Sequence, residues 1–327
     1  MRRYRKSVGF LAFFTGLILA AGCYSGPAAT GSFDRNFSVT GPIRLELSNA
    51  SGEVSITGST DGKVHVHGDV HASGFGFDNP QKRLDDTLAN PPVEQRADTI
   101  RIGKDLQNLR NISIAYTIEV PHDTEVDANV ASGAQSIRNL RGPVKIRAAS
   151  GSISVEKIER DADLTTASGS ISANDIGNDA HVSSASGSVS VSNVKGDVRA
   201  TAVSGVIRIS QPGGRVEGKT ASGEVEIQGA ANDVKAHAAS GRVSVQGNPG
   251  NTCLWDLKTA SGGVQINVPA SANFRLTAEA VSGQVRTDIP IVIEEEGKHS
   301  LRAHMGNGGG RVEVRTASGE IRISGTK

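Results

Sequence analysis

Eleven of the fourteen Ser-Gly pairs in the chain recur in one strand pattern, with serines at Ser51, Ser132, Ser150, Ser168, Ser186, Ser204, Ser222, Ser240, Ser261, Ser282 and Ser318. From Ser132 to Ser240 the interval between serines is constant, six times in succession. Fixed self-similarity of this kind marks a chain that stacks on itself, coil upon coil, and does not fold around one globular centre.

One repeat shows what a coil is made of. In the run from Ser186 to Val203, Val189 and Val191 alternate with Ser188, Ser190 and Ser192, and Val198 and Ala200 alternate with Asp197, Arg199 and Thr201. A period of two places apolar groups on one strand face. Two residues after the glycine of each pair stands Val or Ile in ten of eleven cases, Gln135 being the exception. Such a coil cannot bury itself alone. Stacked in parallel, its strands bond to their equivalents above and below at about 4.8 Å per coil, and each buried Val or Ile contributes roughly 1.5–3 kcal/mol. The second strand presents Ala162, Ala180, Ala200, Gly218 and Ala236 inward, opposite bulkier Val and Ile, so the expected coil is flattened and has no lumen.

The pairs Ser150-Gly151, Ser168-Gly169, Ser186-Gly187, Ser204-Gly205, Ser222-Gly223 and Ser240-Gly241 read as structural corners. Glycine reaches positive φ, and the serine hydroxyl is placed to bond backbone or the serine of the next coil. The expected fold is all-β: a single-stranded parallel β-helix, or β-solenoid, of about 18 residues per coil. It is expected to be right-handed, because the six-residue aliphatic period of left-handed hexapeptide helices is absent. With about twelve coils the stack would run about 55 Å.

Arg2, Arg3, Arg5 and Lys6 precede an apolar run from Val8 to Ala21, too short for a membrane span. The run ends Leu19-Ala20-Ala21-Gly22-Cys23, which resembles the lipobox of bacterial lipoproteins, except that Ala20 stands where such boxes prefer Leu. The resemblance implies residues 1–22 as signal peptide and lipid on Cys23. Tyr24 in place of Asp implies the outer membrane. Cys253 is the only other cysteine, so no disulfide framework is expected. Residues 23–40, rich in Gly, Ala, Ser and Thr, read as a flexible tether. Residues 41–327 read as the β-helix domain, with an excursion at 73–98 and an irregular segment at 289–310. Within the excursion, Asn79 as N-cap and Pro80 as first helical residue predict a short helix. With 35 basic and 34 acidic residues and no basic run after the signal, nucleic acid is not an expected partner.

Strings such as Thr220-Ala221-Ser222-Gly223-Glu224-Val225-Glu226-Ile227, the step Gly196-Asp197-Val198, the pairs Val120-Pro121 and Val268-Pro269, and a Gly-rich turn leading to a last strand at Gly306 to Ile323 resemble an adhesin-labelled bacterial family. Its members are domains of unknown function built of T-x-S-G strand repeats. The resemblance covers about residues 40–325 and implies a single-stranded β-helix. The family offers no catalytic residues to carry over.

Other residue constellations are candidates for chemistry. Asp161, Asp179 and Asp197 fall at the same interval as the serines and should stack in adjacent coils, where a hard cation would relieve their repulsion. A carboxylate opening a strand after a turn accounts for the same pattern. His65 and His67 share a strand face at the spacing that grips Zn²⁺ or Cu²⁺, although an exposed polar strand face is the favoured account of them. No metal or other cofactor is therefore expected. Trp255 is placed either to anchor a partner at the surface or to pack beneath the Asn248-Pro249 loop. Between Tyr116 and Trp255 there is no aromatic residue, whereas carbohydrate-active β-helices need aromatic platforms beside clustered carboxylates. The expectation is a non-enzymatic, lipid-anchored envelope module, adhesin-like or scaffolding, with a protein or glycan surface partner. A periplasmic sensor arm of an envelope-stress system is the alternative, and a carbohydrate-active enzyme a more remote one.

Overall fold

In the computed structural model, which describes residues 28–74, 79–103 and 111–326, the chain forms two facing sheets of 15 and 14 strands. In each repeat a leading strand runs into the Ser-Gly corner and a trailing strand runs out of it. Ala180–Ser186 leads into Gly187, and Val189–Val194 trails from it. Leading strands of the regular coils pair only with leading strands, in parallel and one repeat apart, as in Ala162↔Ala180 and Ala180↔Val198. The expected β-helix is present, and below each coil is named by its corner glycine.

The corner glycines explain why the period is strict. Gly205 has φ 144°, in the region that excludes side chains. A Cβ there would lie 2.0 Å from the carbonyl oxygen of Gly187. The same contact repeats between successive corner glycines, so a side chain at any rung would force two coils apart. Serine's part is played by its main chain: Gly151 N–H donates to Ser168 O at 2.9 Å, and Gly169 N–H to Ser186 O at 2.9 Å. The hydroxyls that serve the corner stand two residues earlier and are buried. Thr166 donates to Ser168 O at 3.2 Å, and Thr259 to Gly241 O at 3.0 Å.

Between the sheets the side chains interdigitate. Ala162, Ala180, Ala200 and Ala236 are all buried opposite Ile153, Val189, Ile207 and their equivalents. At Gly218 even a methyl would come within 2.8 Å of Val225 Cγ1. Gln135 fills a Val/Ile position, and its buried amide donates to Gly133 O. Trp255 is fully buried in the leading sheet, with Nε1 donating to Asn232 O at 2.9 Å; it is a core residue and not a surface anchor.

Both ends depart from a simple stack in sequence order. The leading sheet runs from the Gly262 strand to Gly310–Ser318 and only then to Phe274–Ser282. The Gly319 coil is thus inserted between the Gly262 and Gly283 coils. At the other end the Gly52 coil lies between the Gly133 coil and the coil formed by Thr99–Ile102 and Ile112–Pro121. The outermost coil at each end is the less complete one. The Gly283 coil has a three-residue trailing strand, Val285–Thr287, with Thr287 where other coils carry an apolar residue. The Thr99–Pro121 coil has no Ser-Gly corner. Each corner glycine closes on the carbonyl of one neighbour only, Gly133 on that of Gly52 and Gly52 on that of Ile114, so the Thr99–Pro121 coil supplies a carbonyl and needs no corner glycine of its own.

Three segment expectations are corrected. The tether reading of 23–40 fails from Ala28 onward, while Cys23 and the signal at 1–22 lie outside the described residues. Ala28–Ser38 is a strand, antiparallel to Lys63–Ser73, because its alternation buries Ala29 and Phe33. Phe33 meets Tyr116 edge-on at 6.4 Å, over Gly68, where a Cβ would fall 2.4 Å from the ring. The excursion at 73–98 holds the expected helix, Pro80–Ala89, with Asn79 Oδ1 accepting from Lys82 N–H at 3.2 Å. It also holds an edge strand, Val93–Arg96. The irregular segment at 289–310 contains an antiparallel hairpin, Val292–Glu296 with Ser300–Met305, whose register shifts between Ile293 and Glu295. It carries the chain back so that the Gly319 coil can insert. No helix among the described residues is long and apolar enough to cross a membrane.

Replacing Gly205 with Ala is expected to destabilise the stack by about 2–4 kcal/mol, combining backbone strain with a clash against main chain. Gly62→Ala, at φ 66° with nothing within 4 Å, should cost only about 1 kcal/mol. Urea unfolding followed by circular dichroism separates the two; equal losses would refute the corner as the strict constraint.

Candidate functional site

The aspartate row does stack, and its partners are main-chain groups. Asp161 Oδ1 accepts from Asp179 N–H at 3.2 Å, Asp179 Oδ1 from Asp197 N–H at 2.8 Å, and Asp197 Oδ1 from Arg215 N–H at 2.7 Å. Each carboxylate holds the residue that opens the next coil's leading strand. Donors interleave with charges along the row, which removes the repulsion that would have called for a cation. No group of three or more metal-ligating side chains converges among the described residues.

His65 and His67 share one face of Lys63–Ser73, directly across from Asn36 and Asp34 of the paired strand Ala28–Ser38. The two rings turn to different partners. His65 contacts Asn36 Oδ1 at 2.7 Å and Asp61 Oδ2 at 2.8 Å, and His67 contacts Asp34 Oδ1 at 2.9 Å and Asp69 Oδ1 at 3.3 Å. Their nitrogens are engaged in fastening the edge strand. The hydrogen bond to Asp34, with Asp69 adding to it, raises His67 above the ordinary imidazole value. The bond from His65 lowers Asp61.

Two concave surfaces run along the stack, each at one kind of corner. At the far end of five successive trailing strands one residue turns left-handed: Asn139, Lys157, Asp175, Asn193 and Gln211 have φ between 50° and 60°, again one coil apart. The next residue, such as Ile158 or Ile176, is tucked in and buried. Asn and Asp tolerate this conformation best. Their side chains bond across coils, as Asn193 Nδ2 does to Asp175 Oδ1 at 3.0 Å. The resulting groove encloses about 860 Å³ beside His122, Arg141, Lys157 and Lys195. The regular spacing of Asp175 and Asn193 was a visible signal for it.

The second surface lies on the leading sheet beside the Ser-Gly corners. The residue before each serine is Ala or Val in all eleven repeats, and from Ala131 onward each is exposed. Val203 and Val281 are 57% and 80% exposed and bracket four smaller rungs: Ala221, Ala239, Ala260 and Ala317. The furrow between them encloses about 810 Å³ and is walled by Lys219, His237, Lys258 and Arg315. Behind that wall stand the matching acids. Lys219 and Arg199 pair with Glu217, and Lys258 and His237 with Asp256 at 2.8 and 3.1 Å. The Lys219 hydrogen bond holds the Glu217 carboxyl low. For Asp256, burial opposes ionisation but the bonds from Lys258 and His237 outweigh it, so its value is lowered. His237 is lowered by burial, which Asp256 does not offset.

The sequence matches the family described as Toastrack DUF4097 over residues 43–253 and 216–324. Among solved structures it is similar to a candidate cell adhesion protein from Clostridium sporogenes, at 12% identity and TM-score 0.21, covering 90% of this chain and 100% of that one. It is also similar to a candidate adhesin from Bacteroides fragilis, at 14% identity and TM-score 0.29, covering 90% and 97%. No curated protein matches the chain.

The two histidines should respond to pH with opposite sign. His67 is raised in the fold, so its contribution is complete below the unfolded value near 6.5 and is lost as pH climbs through the folded value. His237 is lowered, so its contribution is complete above that value and is lost as pH falls through the folded one. NMR titration should place them on opposite sides of 6.5, and the melting deficit of His67→Gln should shrink from about pH 5 to about pH 8. A deficit that grows with pH would refute the clamp. For the aspartate row, Asp179→Ala should cost about 1 kcal/mol through the lost acceptor, and excess chelator should leave the melting temperature unchanged. A fall in melting temperature on chelation would restore the cation reading.

Proposed function

The chain belongs to the Toastrack DUF4097 family, and from that premise we propose that it works as a non-enzymatic interaction or scaffold module of the cell envelope. In this reading it is an adhesin-like lipoprotein, held at the outer membrane by lipid on Cys23, that offers its outer faces to protein or glycan partners. The observation that carries the reading is how the polar groups are used. Asp161, Asp179 and Asp197 hold main-chain donors, His65 and His67 fasten an edge strand, and buried hydroxyls serve the corners. What faces outward is an Ala-Ser or Val-Ser pair, rung after rung, along shallow open furrows. Repetition of one small motif over many coils gives many weak contacts in register, the geometry of multivalent surface binding.

Cys23→Ala is expected to shift the protein from the membrane pellet to the soluble fraction. Deleting the protein should reduce attachment or envelope integrity, and the purified chain should leave glycan substrates intact while retaining envelope partners in pull-downs. Glycan cleavage, or deletion that changes neither attachment nor integrity together with empty pull-downs, would overturn the reading.

A further inference from the structure

Five large apolar side chains stand exposed among the described residues: Val203, Leu254, Val281, Val292 and Ile293. Four of them fall in two places. Val203 and Val281 close the two ends of the alanine furrow. Val292 and Ile293 open the hairpin strand Val292–Glu296, whose five residues are all exposed. That strand pairs along one edge with Ser300–Met305 and is the last strand of its sheet. It is an arm: an extended segment with one edge unpaired among the described residues and its five side chains exposed. Exposed apolar edges of this kind are templates for docking.

The two places carry opposite charge. Lys219, Lys258 and Arg315 wall the furrow together with His237, and no carboxylate among the described residues lines it. The arm carries Glu294, Glu295 and Glu296. Glu294 reaches His304 and Glu295 reaches Arg302, each at 3.0 Å, and Glu296 has no ion pair among the described residues. Dimensions agree as well. Six rungs from Val203 to Val281 span about 24 Å, and a five-residue strand about 17 Å.

We propose that the arm of one chain seats in the furrow of a second copy, Val292 lying on the alanine floor and the glutamates facing Lys219, Lys258 and Arg315. The present partners of those cations are Glu217 and Asp256, half-buried behind the wall, and the exposed Glu279; Lys219 and Lys258 are themselves 44% and 38% exposed, so their outer sides stay open to a second acid. They continue to neutralise the cations from one side while the arm approaches from the other. Pairing arm against arm would set glutamates against glutamates, which strands disfavour. Arm and furrow are different surfaces of one chain, so the contact is heterologous and propagates into a row or ring of copies. The inference deepens the interaction-module reading and rests on it only in taking the outer face as the working surface. Attachment and self-association are measured separately, so each can fail alone.

Sedimentation velocity of the full chain is the test. Concentration-dependent association is expected, weakening about tenfold or more between about 0.05 and 0.5 M salt as the ion pairs are screened. Glu295→Lys/Glu296→Lys and Lys219→Glu/Lys258→Glu should each abolish it, with circular dichroism unchanged. Mixing these two charge-reversed proteins should restore association, since the basic arm of one then meets the acidic furrow of the other. Val281→Ser should weaken it without touching charge. A chain that stays monomeric, reversed variants that associate as before, or a mixture that does not recover would overturn the proposal. So would a furrow that binds acidic peptide or anionic vesicles while the chain remains a monomer.

Discussion

The closeness of one main-chain contact sets the terms for the rest of this molecule. Where the chain turns from leading to trailing strand, the carbonyl of one corner glycine stands where the side chain of the next would be. That contact admits only glycine and repeats only if every coil returns to the same place. The parallel register, the aspartates that cap the following coil and the straight outer rows all follow from it. A shift of one residue in any coil would turn its buried face outward.

Because the coils hold each other through main chain, side-chain chemistry is largely assigned to seams. The aspartate row seals one seam, the left-handed Asn and Asp residues another, and the buried Thr and Ser hydroxyls a third. Charged residues on the outer faces pair with neighbours one coil away, as Arg199 does with Glu217, or along their own strand, as Lys219 does with the same carboxylate. The faces that remain are long, shallow and repetitive, and they suit partners that are themselves extended or repeated. The two perturbed histidines show how local the electrostatics are. His67 at an edge gains from two carboxylates, whereas His237 in a half-buried row loses more to burial than Asp256 returns.

The period, the flat interior and the helix cap at Asn79 were legible in the sequence because each rests on local spacing: a constant interval between corners, strict alternation of inward residues, and a proline directly after the cap. Coil order was not. Every Ser-Gly corner fits every other, so likeness among repeats names the set of possible neighbours without choosing between them. The strand at Ala28–Ser38 was hidden by its composition; only its contact with Tyr116, far along the chain, distinguishes it from a tether. The aspartates were visible as a row, but their partners are backbone groups, which leave no mark in a sequence. The furrow was legible in principle, since Ala or Val precedes every serine, yet an exposed small residue gives no signal until its neighbours are placed around it.

The inserted Gly319 coil has a consequence for how the protein reaches its final form. The Gly283 coil is synthesised earlier and yet sits farther out, so its permanent partner does not exist until the following stretch has emerged. Assembly that proceeds rung by rung from the N-terminal side must halt at the Gly262 coil, hold the next one open, and admit the last arrival as a wedge. A non-local closing step of that kind is slow compared with adding neighbouring rungs, and until it happens one exposed edge of each sheet stays available to pair with another chain.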